Sequence, residues 1–348
     1  MSRFGAVVAC VVALACPGAS GADAQQPPYD SLPFAPPGVL SGRIVYQAPG
    51  GCDFRSYDLA TGTDSALGNG HCEYGVLFSR DGKLAASRGL RDRVQVMDVA
   101  TGTTLWLGPV TPEPRPKAFA YPLFFSPDSS RLAYCVATRA AVSTAVADVR
   151  TGLVRSRVRG TCAVAYTARG LAGVRGGAVV LGTRRLFVPR RPGRLAPGVG
   201  AAIAANPSGT LLAVAVRRSR RTVALDVIDL SGRLRGRYRG TVRIPLSPQL
   251  LAPGAASAVV WWGCILQLAP FNRARGTFRL LYGSDSEPIT YPAYSPDGRY
   301  AVMAREQIVL APSPPPAPLP AVVFDGRTFA PLYRLPFAAR SVVWVAPE

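Results

Sequence analysis

Two arginine-rich stretches contain the residues of this sequence best suited to chemistry. One is RRSRR at residues 217–221, and the other is TRRLFVPRRPGR at residues 183–194. A guanidinium group is planar and permanently charged, and it can bind a phosphate or carboxylate through two parallel N–H donors. We therefore predict an anion-binding site that consists of Arg190, Arg191, Arg217, Arg218, Arg220 and Arg221.

The net charge is compatible with such a site and also with a simpler interpretation. The chain of 348 residues has 40 Lys and Arg against 20 Asp and Glu, which gives a formal net charge of +20. A charge of this size attracts polyanions. However, a GC-rich genome favours Arg, Ala, Gly, Pro and Val, which are abundant here. Coding bias with solvated basic loops is therefore the alternative interpretation.

Metal and nucleophilic chemistry are not expected from the remaining residues. His71 is the single histidine, and no two cysteines form a C-x-x-C pair. Cys264 has no histidine near it in sequence that could activate its thiol. No calcium loop or glycosidase-type carboxylate pair stands out. We predict a non-catalytic protein without cofactor or metal. The alternative is a propeller-class enzyme, a polysaccharide lyase or hydrolase, whose acids or histidines converge only in three dimensions at a central channel.

The N-terminus predicts export. Arg3 precedes an apolar stretch that is too short to span a bilayer, and ADA at residues 22–24 matches a signal-peptidase site. Residues 1–24 are therefore predicted to be a signal peptide, followed by a Pro-rich linker at 25–38. The alternatives are a lipoprotein attached at Cys16 and an uncleaved anchor. We expect a secreted or periplasmic (cell-envelope) protein without a later transmembrane span.

A repeated phrase, of an aromatic or apolar residue and then a tight polar turn, indicates the elements that position these residues. The copies FSRDG, FSPDS, YTARG, ANPSG, LAPGA and YSPDG recur at roughly 40–50 residues, the period of a four-stranded propeller blade. A second marker, a strand ending in Asp before a Gly-bearing turn, recurs in step with it. The second marker is found at Asp58, Asp98, Asp148, Asp229 and Asp325.

The two ends of the chain complement each other. SVVWVAPE at the C-terminus supplies an inner strand and half a turn, and SGRIVYQ near residue 41 supplies the returning strand. We predict that the C-terminal strand pairs with the N-terminal blade and closes the ring. The predicted fold is all-β: one seven-bladed β-propeller of four-stranded blades over residues 39–348, with no exposed sheet edges at the closure.

The FSPDG phrase followed by an apolar strand resembles the WD40-like (PD40) repeat of TolB-type propellers. It is clear at Phe78, Phe125 and Tyr294 and weaker in the other copies. The resemblance implies a secreted or periplasmic β-propeller of a kind that often serves as a protein-interaction platform. A TolB-like N-terminal domain is not evident, and the Gly-His and Trp-Asp signatures of WD40 proteins are absent.

In a propeller, the hairpins between second and third strands lie on the same face as the segments that lead into the inner strands. The cysteines that remain after signal cleavage fall in or near such hairpins and segments, so they approach one face. We predict two disulfides, Cys52–Cys72 and Cys135–Cys162, with Cys264 free. The alternative is that all of these thiols are reduced and buried.

Taken together, these patterns predict an exported, monomeric binding platform for a protein or an anionic envelope polymer. Nucleic acid is not an expected partner of an exported protein.

Overall fold

The structure is a computed structural model that describes most of the chain. The described ranges are 29–49, 52–70, 76–89, 93–108, 119–137, 142–190, 194–195, 202–219, 222–241, 246–262, 265–279, 289–305, 319–328 and 330–347. The predicted signal peptide at 1–24 lies outside them. Within them no helix is long and apolar enough to cross a membrane, and the one short 3₁₀ helix is Tyr29–Ser31.

The described strands, numbered β1–β29 in chain order, form an all-β architecture of four small sheets and one large sheet. We call the small sheets units 1–4 and give their strands in spatial order. Unit 1 consists of β29 (Ser341–Val345), β1 (Arg43–Gln47), β2 (Cys52–Asp58) and β3 (Asp64–Gly70). Unit 2 consists of β4 (Leu77–Phe78), β5 (Leu84–Gly89), β6 (Arg93–Asp98) and β7 (Thr104–Leu107). Unit 3 consists of β8 (Phe119–Phe125), β9 (Arg131–Ala137), β10 (Val142–Asp148) and β11 (Val154–Arg159). Unit 4 consists of β12 (Val164–Thr167), β13 (Gly170–Arg175), β14 (Ala178–Leu181) and β15 (Arg184–Phe187).

The large sheet has 13 strands and contains three further four-stranded antiparallel runs, which we call units 5–7. Unit 5 consists of β17 (Ile203–Ala205), β18 (Leu211–Arg217), β19 (Thr222–Asp229) and β20 (Leu234–Thr241), with β16 (Arg194–Leu195) on the same edge of β18 as β17. Unit 6 consists of β21 (Leu246–Leu251), β22 (Ser257–Trp262), β23 (Ile265–Asn272) and β24 (Thr277–Phe278). Unit 7 consists of β25 (Ile289–Tyr294), β26 (Tyr300–Arg305), β27 (Leu319–Asp325) and β28 (Pro331–Ala338).

The C-terminal strand β29 pairs with β1, as the complementary ends of the sequence predicted. The pairing is antiparallel and runs from Arg43 opposite Val345 to Gln47 opposite Ser341. Trp344 is almost fully buried, and its indole N–H donates to the Ser41 carbonyl at 3.0 Å. Strands from opposite ends of the described chain therefore complete one sheet.

The core lies between the units, because the middle strands are apolar on both faces. One cluster joins units 7 and 1, where the Tyr46 and Phe337 rings stack at 4.0 Å between centroids. Further clusters join units 1 and 2, 2 and 3, 4 and 5, 5 and 6, and 6 and 7. Units 3 and 4 meet through Phe124 and Tyr166, edge to face at 5.5 Å. Each unit thus covers its faces with its neighbours.

The repeated polar phrase forms the turn between the first and second strands of a unit. In unit 3 the Ser126 hydroxyl donates to Asp128 at 2.5 Å and accepts the backbone N–H of Arg131 at 2.9 Å. Ser79 and Ser295 repeat both bonds in units 2 and 7. The residue after the aspartate has positive φ, which is why glycine usually occupies that position.

The second marker forms the turn between the third and fourth strands. Asp148 accepts the backbone N–H groups of Arg150 and Thr151, both at 3.0 Å. Equivalent bonds form at Asp58, Asp98, Asp229 and Asp325. These backbone donors lower the pKa of Asp58, Asp148 and Asp325 below the usual value, because they favour the carboxylate. The recurrent aspartates therefore serve the turns.

Residues 29–38, which fall in the predicted linker, lie against units 1 and 7. The backbone of Arg334 in β28 donates to Pro33 and accepts from Ala35, both at 2.9 Å. Asp30 pairs with Arg305 at 3.3 Å, and the Arg305 side chain is almost completely buried. The segment therefore packs over the junction that the β29–β1 pairing creates.

Candidate binding site between units 4 and 5

The arginine-rich hairpin joins β18 to β19, and strand alternation directs its side chains to two different neighbours. Val214 and Val216 belong to the cluster shared with unit 4, whereas Ala213 and Ala215 belong to the cluster shared with unit 6. Side chains two residues apart on a strand share a face. Arg218 therefore lies on the unit 4 side, and Arg217 lies on the unit 6 side.

A buried carboxylate, Asp226 in β19, fixes two guanidinium groups on the unit 4 side. Its side chain is 0% exposed. Arg237, its cross-strand partner in β20, donates from Nε at 2.7 Å and from Nη2 at 2.9 Å. Arg218 donates to the same carboxylate from Nη2 at 3.3 Å. The hydrogen bond to Asp226 raises the pKa of Arg237, which therefore stays cationic.

Arg218 also ties the hairpin to the end of unit 4. Its Nη1 donates to the backbone carbonyl of Arg190 at 3.0 Å, while the Arg190 side chain is exposed. A single guanidinium thus bridges a buried acid in unit 5 and the segment that follows β15. This use of Arg218 is structural, because it adds a second cation beside the buried carboxylate that Arg237 already binds.

Arg184 in β15 also reaches unit 5, but at the other end of β19, where it donates to the Ser231 carbonyl in the turn between β19 and β20 at 3.4 Å. Another exposed arginine lies on the face of the ion pair. Arg239 is opposite Ala224, which lies on the same face as Asp226, and its side chain is exposed. We define the arginine cluster as Arg190, Arg218, Arg237 and Arg239. One buried carboxylate offsets only part of this charge, so the cluster has an excess of N–H donors for an anion.

The structure thus brings together two of the six arginines of the predicted site. Arg190 and Arg218 meet through the Arg190 backbone carbonyl and the Arg218 guanidinium. Arg217 lies on the other face, where its Nε donates to the Ser219 carbonyl at 3.2 Å. Arg191, Arg220 and Arg221 lie outside the described residues.

Sequence reasoning missed Asp226, Arg237 and Arg239. One signal was present in TVALDVID, where an aspartate stands within an otherwise apolar run. A charge inside a strand buried on both faces requires a partner, and the nearest strand with alternating arginines is LRGRYRGT. The cross-strand register that pairs Asp226 with Arg237 depends on a bulge between Val227 and Ile228, which the sequence does not mark.

The sulfur atoms of Cys135 and Cys162 lie at disulfide distance, with their Cα atoms 5.3 Å apart. This is one of the two predicted pairs, and it joins β9 to the segment before β12. Cys72 and Cys264 lie outside the described residues, as does the Cys52 side chain. Among the described residues, no group of three or more His, Cys, Asp or Glu side chains is arranged to hold a metal ion.

No family model matches the sequence, and no curated protein matches it. Solved structures resemble the fold at low similarity. The Myceliophteria thermophila Cps50 (Swd1) β-propeller domain is 15% identical over 78% of this chain and 88% of its own, with a TM-score of 0.48. A chain of a mitotic checkpoint complex is 14% identical over 89% of this chain and 90% of its own, with a TM-score of 0.49. These similarities are too low to support an argument about ligand or activity.

Proposed function

We propose that the protein is an exported, non-catalytic β-propeller of seven blades, closed by the β29–β1 pairing, and that it acts as a binding platform for a protein or an anionic envelope polymer. Units 1–7 are the proposed blades. We also propose, from the FSPDG phrase, that the repeats are of the TolB type (PD40).

The packing around the units supports the proposal of a closed ring. The innermost strands touch in succession: β29 contacts β4, β4 contacts β8, β8 contacts β12, β12 contacts β17, β17 contacts β21, and β25 contacts β29. Units 6 and 7 share an apolar cluster and a contact of 3.3 Å between the Ser257 and Tyr294 hydroxyl groups. A ring of seven stacked sheets accounts for all of these contacts.

The observation that carries the proposed binding role is the arginine cluster between units 4 and 5. Its arginines come from two units, and their charge exceeds that of the single carboxylate beside them. Arg218 and Arg237 are held in place by Asp226, so little side-chain entropy is lost when their remaining N–H donors meet an anion. Export is proposed from the N-terminal sequence, and a disulfide between Cys135 and Cys162 fits an oxidising compartment. We propose that the exported chain is a monomer.

A salt-dependent pull-down tests this function. Purified protein is incubated with envelope fractions of its source cell, and in parallel with polyphosphate beads, at low and high ionic strength. Retention of an anionic polymer that is lost at high salt is the expected result, because screening weakens exposed charge pairs. Salt-resistant capture of one specific protein would support the protein arm of the proposal. Absence of both would contradict the proposal.

Matched variants locate the site. Arg190→Gln with Arg239→Gln removes two exposed charges of the arginine cluster without touching the Asp226 ion pairs. We expect about a tenfold loss of affinity for polyphosphate, since charge-assisted hydrogen bonds are lost. The control pair Arg80→Gln with Arg327→Gln removes equal charge in units 2 and 7. An equal loss in both pairs would mean that only net charge matters and would reject the site.

A further inference from the structure

The outermost strands of the units differ in how their open edges are covered. The β3 strand donates a backbone hydrogen bond from Gly68 to Val99 of unit 2, at 2.9 Å. In β7, the Trp106 indole N–H donates to the Val149 carbonyl of unit 3 at 2.8 Å. Both strands are thus fixed on the turn of the following unit, where an adding strand would meet an obstacle.

Three more outer strands are also covered. The β15 strand packs on unit 5 so closely that a Cβ at Gly232 would collide with the Leu186 carbonyl. The β20 strand pairs with β24 at Arg239 and Thr277. The β28 strand is covered by residues 33–35 through the backbone of Arg334.

The β11 strand, with the sequence VRSRVR, is the exception among these. It lies at the edge of its sheet, and within the described ranges no hydrogen bond joins it to the next unit. Its central residues are exposed, and it is long enough for several ladder hydrogen bonds. An open edge of this kind is a template for another strand.

Two of its arginines share a face. Arg157 and Arg159 lie opposite Ala145 and Ser143 and are exposed, whereas a bulge between Val146 and Ala147 takes the exposed Arg155 out of the alternation. Alternate residues share a face and lie about 6.8 Å apart on a strand. Arg155 has a distant carboxylate, Asp148, at 3.9 Å, whereas Arg157 and Arg159 have no carboxylate partner among the described residues.

We propose that β11 is a docking edge for an extended acidic segment of a partner protein, which adds to unit 3 as a fifth strand. Main-chain hydrogen bonds to the open edge would supply affinity. Carboxylates at alternate positions of the added strand repeat at the same distance as Arg157 and Arg159, so two of them fall opposite these guanidinium groups. This surface belongs to unit 3 and does not depend on the arginine cluster between units 4 and 5.

The test uses two synthetic peptides and the full protein. The first is an end-capped peptide of alternating Glu and Val, about eight residues long. The second has the same sequence with alternate backbone amides N-methylated, which keeps the charge and removes one edge of hydrogen bonds. Fluorescence polarisation should show binding of the first, with about tenfold weaker binding or none for the second. Hydrogen exchange should slow at residues 154–159 when the first peptide binds.

Charge reversal adds a second readout. Arg157→Glu with Arg159→Glu should weaken peptide binding about tenfold or more, since two cross-strand pairs turn repulsive. The control Arg80→Glu with Arg327→Glu should change binding less than twofold. Equal binding of both peptides, or binding of polyphosphate at β11 with the same affinity, would overturn strand addition. Absence of peptide binding would show that the arginines only prevent other strands from pairing with the edge, which also overturns the proposal.

Discussion

At the scale of single residues, the turns reveal which positions of the repeat are constrained and which have drifted. The position after the turn aspartate requires positive φ, and Gly82 and Gly298 satisfy it in units 2 and 7. Unit 3 has Ser129 there at φ 57°, and unit 6 has Ala255 at φ 50° in the equivalent turn. A non-glycine residue in this region is strained by its Cβ. The copies without glycine at this position therefore keep the backbone path at an energetic cost.

Replacing the strained residue should stabilise the protein. Ser129→Gly should raise the free energy of unfolding by about 0.5–1 kcal/mol, because relief of Cβ strain exceeds the added freedom of the unfolded chain. Urea denaturation followed by circular dichroism measures this change. The control Lys83→Gly, one position later in the equivalent turn, should destabilise. A lower midpoint for Ser129→Gly would contradict the argument.

The turn aspartates also make the stability of the protein decrease at acidic pH. The Ser231 hydroxyl, backbone N–H groups and Arg235 lower the pKa of Asp229 to about 2. A carboxyl group whose pKa is lower in the folded state stabilises the protein at pH values above its unfolded pKa, which is near 4. This contribution to stability is lost as the pH falls towards 2. Asp229→Asn should therefore be less stable than wild type at pH 7, and the difference should shrink between pH 4.5 and pH 2. A gap that does not change with pH would refute this assignment.

At the scale of elements, the sequence predicts strands and turns better than it predicts which side chains meet. The period of the polar phrase locates the turns, and the complementary ends anticipate the β29–β1 pairing. The structure places the arginine hairpin between the second and third strands of unit 5. However, Arg217 and Arg218 are adjacent in sequence and face different units, and the register that pairs Asp226 with Arg237 depends on a bulge. Such relations are fixed by packing between units, which no local pattern encodes.

The crosslink between Cys135 and Cys162 gives a prediction at this scale. A disulfide that closes a loop of this length, with a sequence separation of 27, stabilises by about 3 kcal/mol in the chain-entropy description. Cys135→Ala with Cys162→Ala should lower the free energy of unfolding by about that amount. Mass spectrometry of the unreduced, alkylated protein should recover the linked peptides. Cys264→Ala, at the cysteine predicted to be free, should leave the stability nearly unchanged. Finding Cys162 joined to another cysteine would contradict the assignment.

At the scale of the whole molecule, closure of the proposed ring depends on the contacts at the junction of units 7 and 1. It contains the β29–β1 ladder, the buried side chains of Val342 and Trp344, and the N-terminal segment that covers β28. Elsewhere a loop connects each unit covalently to the next, whereas unit 1 is completed only by noncovalent pairing of β29.

Removal of residues 341–348 should therefore cost far more than an ordinary terminal truncation. Loss of Val342 and Trp344 alone removes about 5 kcal/mol of stabilising free energy from apolar burial, and one edge of β1 becomes unpaired. We expect a lower and broader thermal transition, and recovery when a peptide of residues 339–347 is added. Removal of residues 346–348 alone is the control and should have little effect. A truncated chain as stable as the full one would show that closure contributes nothing.

The β29–β1 pairing also has a consequence for the order in which the molecule assembles. During synthesis β1 emerges early, and its partner emerges only after all the other described strands have been made. Until then β1 presents an open edge, and the apolar clusters on both sides of unit 1 lack part of their lining. Contacts between such distant parts of a chain form slowly, because the intervening loop must first be closed. The last described strand to be synthesised is thus the one whose pairing ends the period of greatest risk of aggregation.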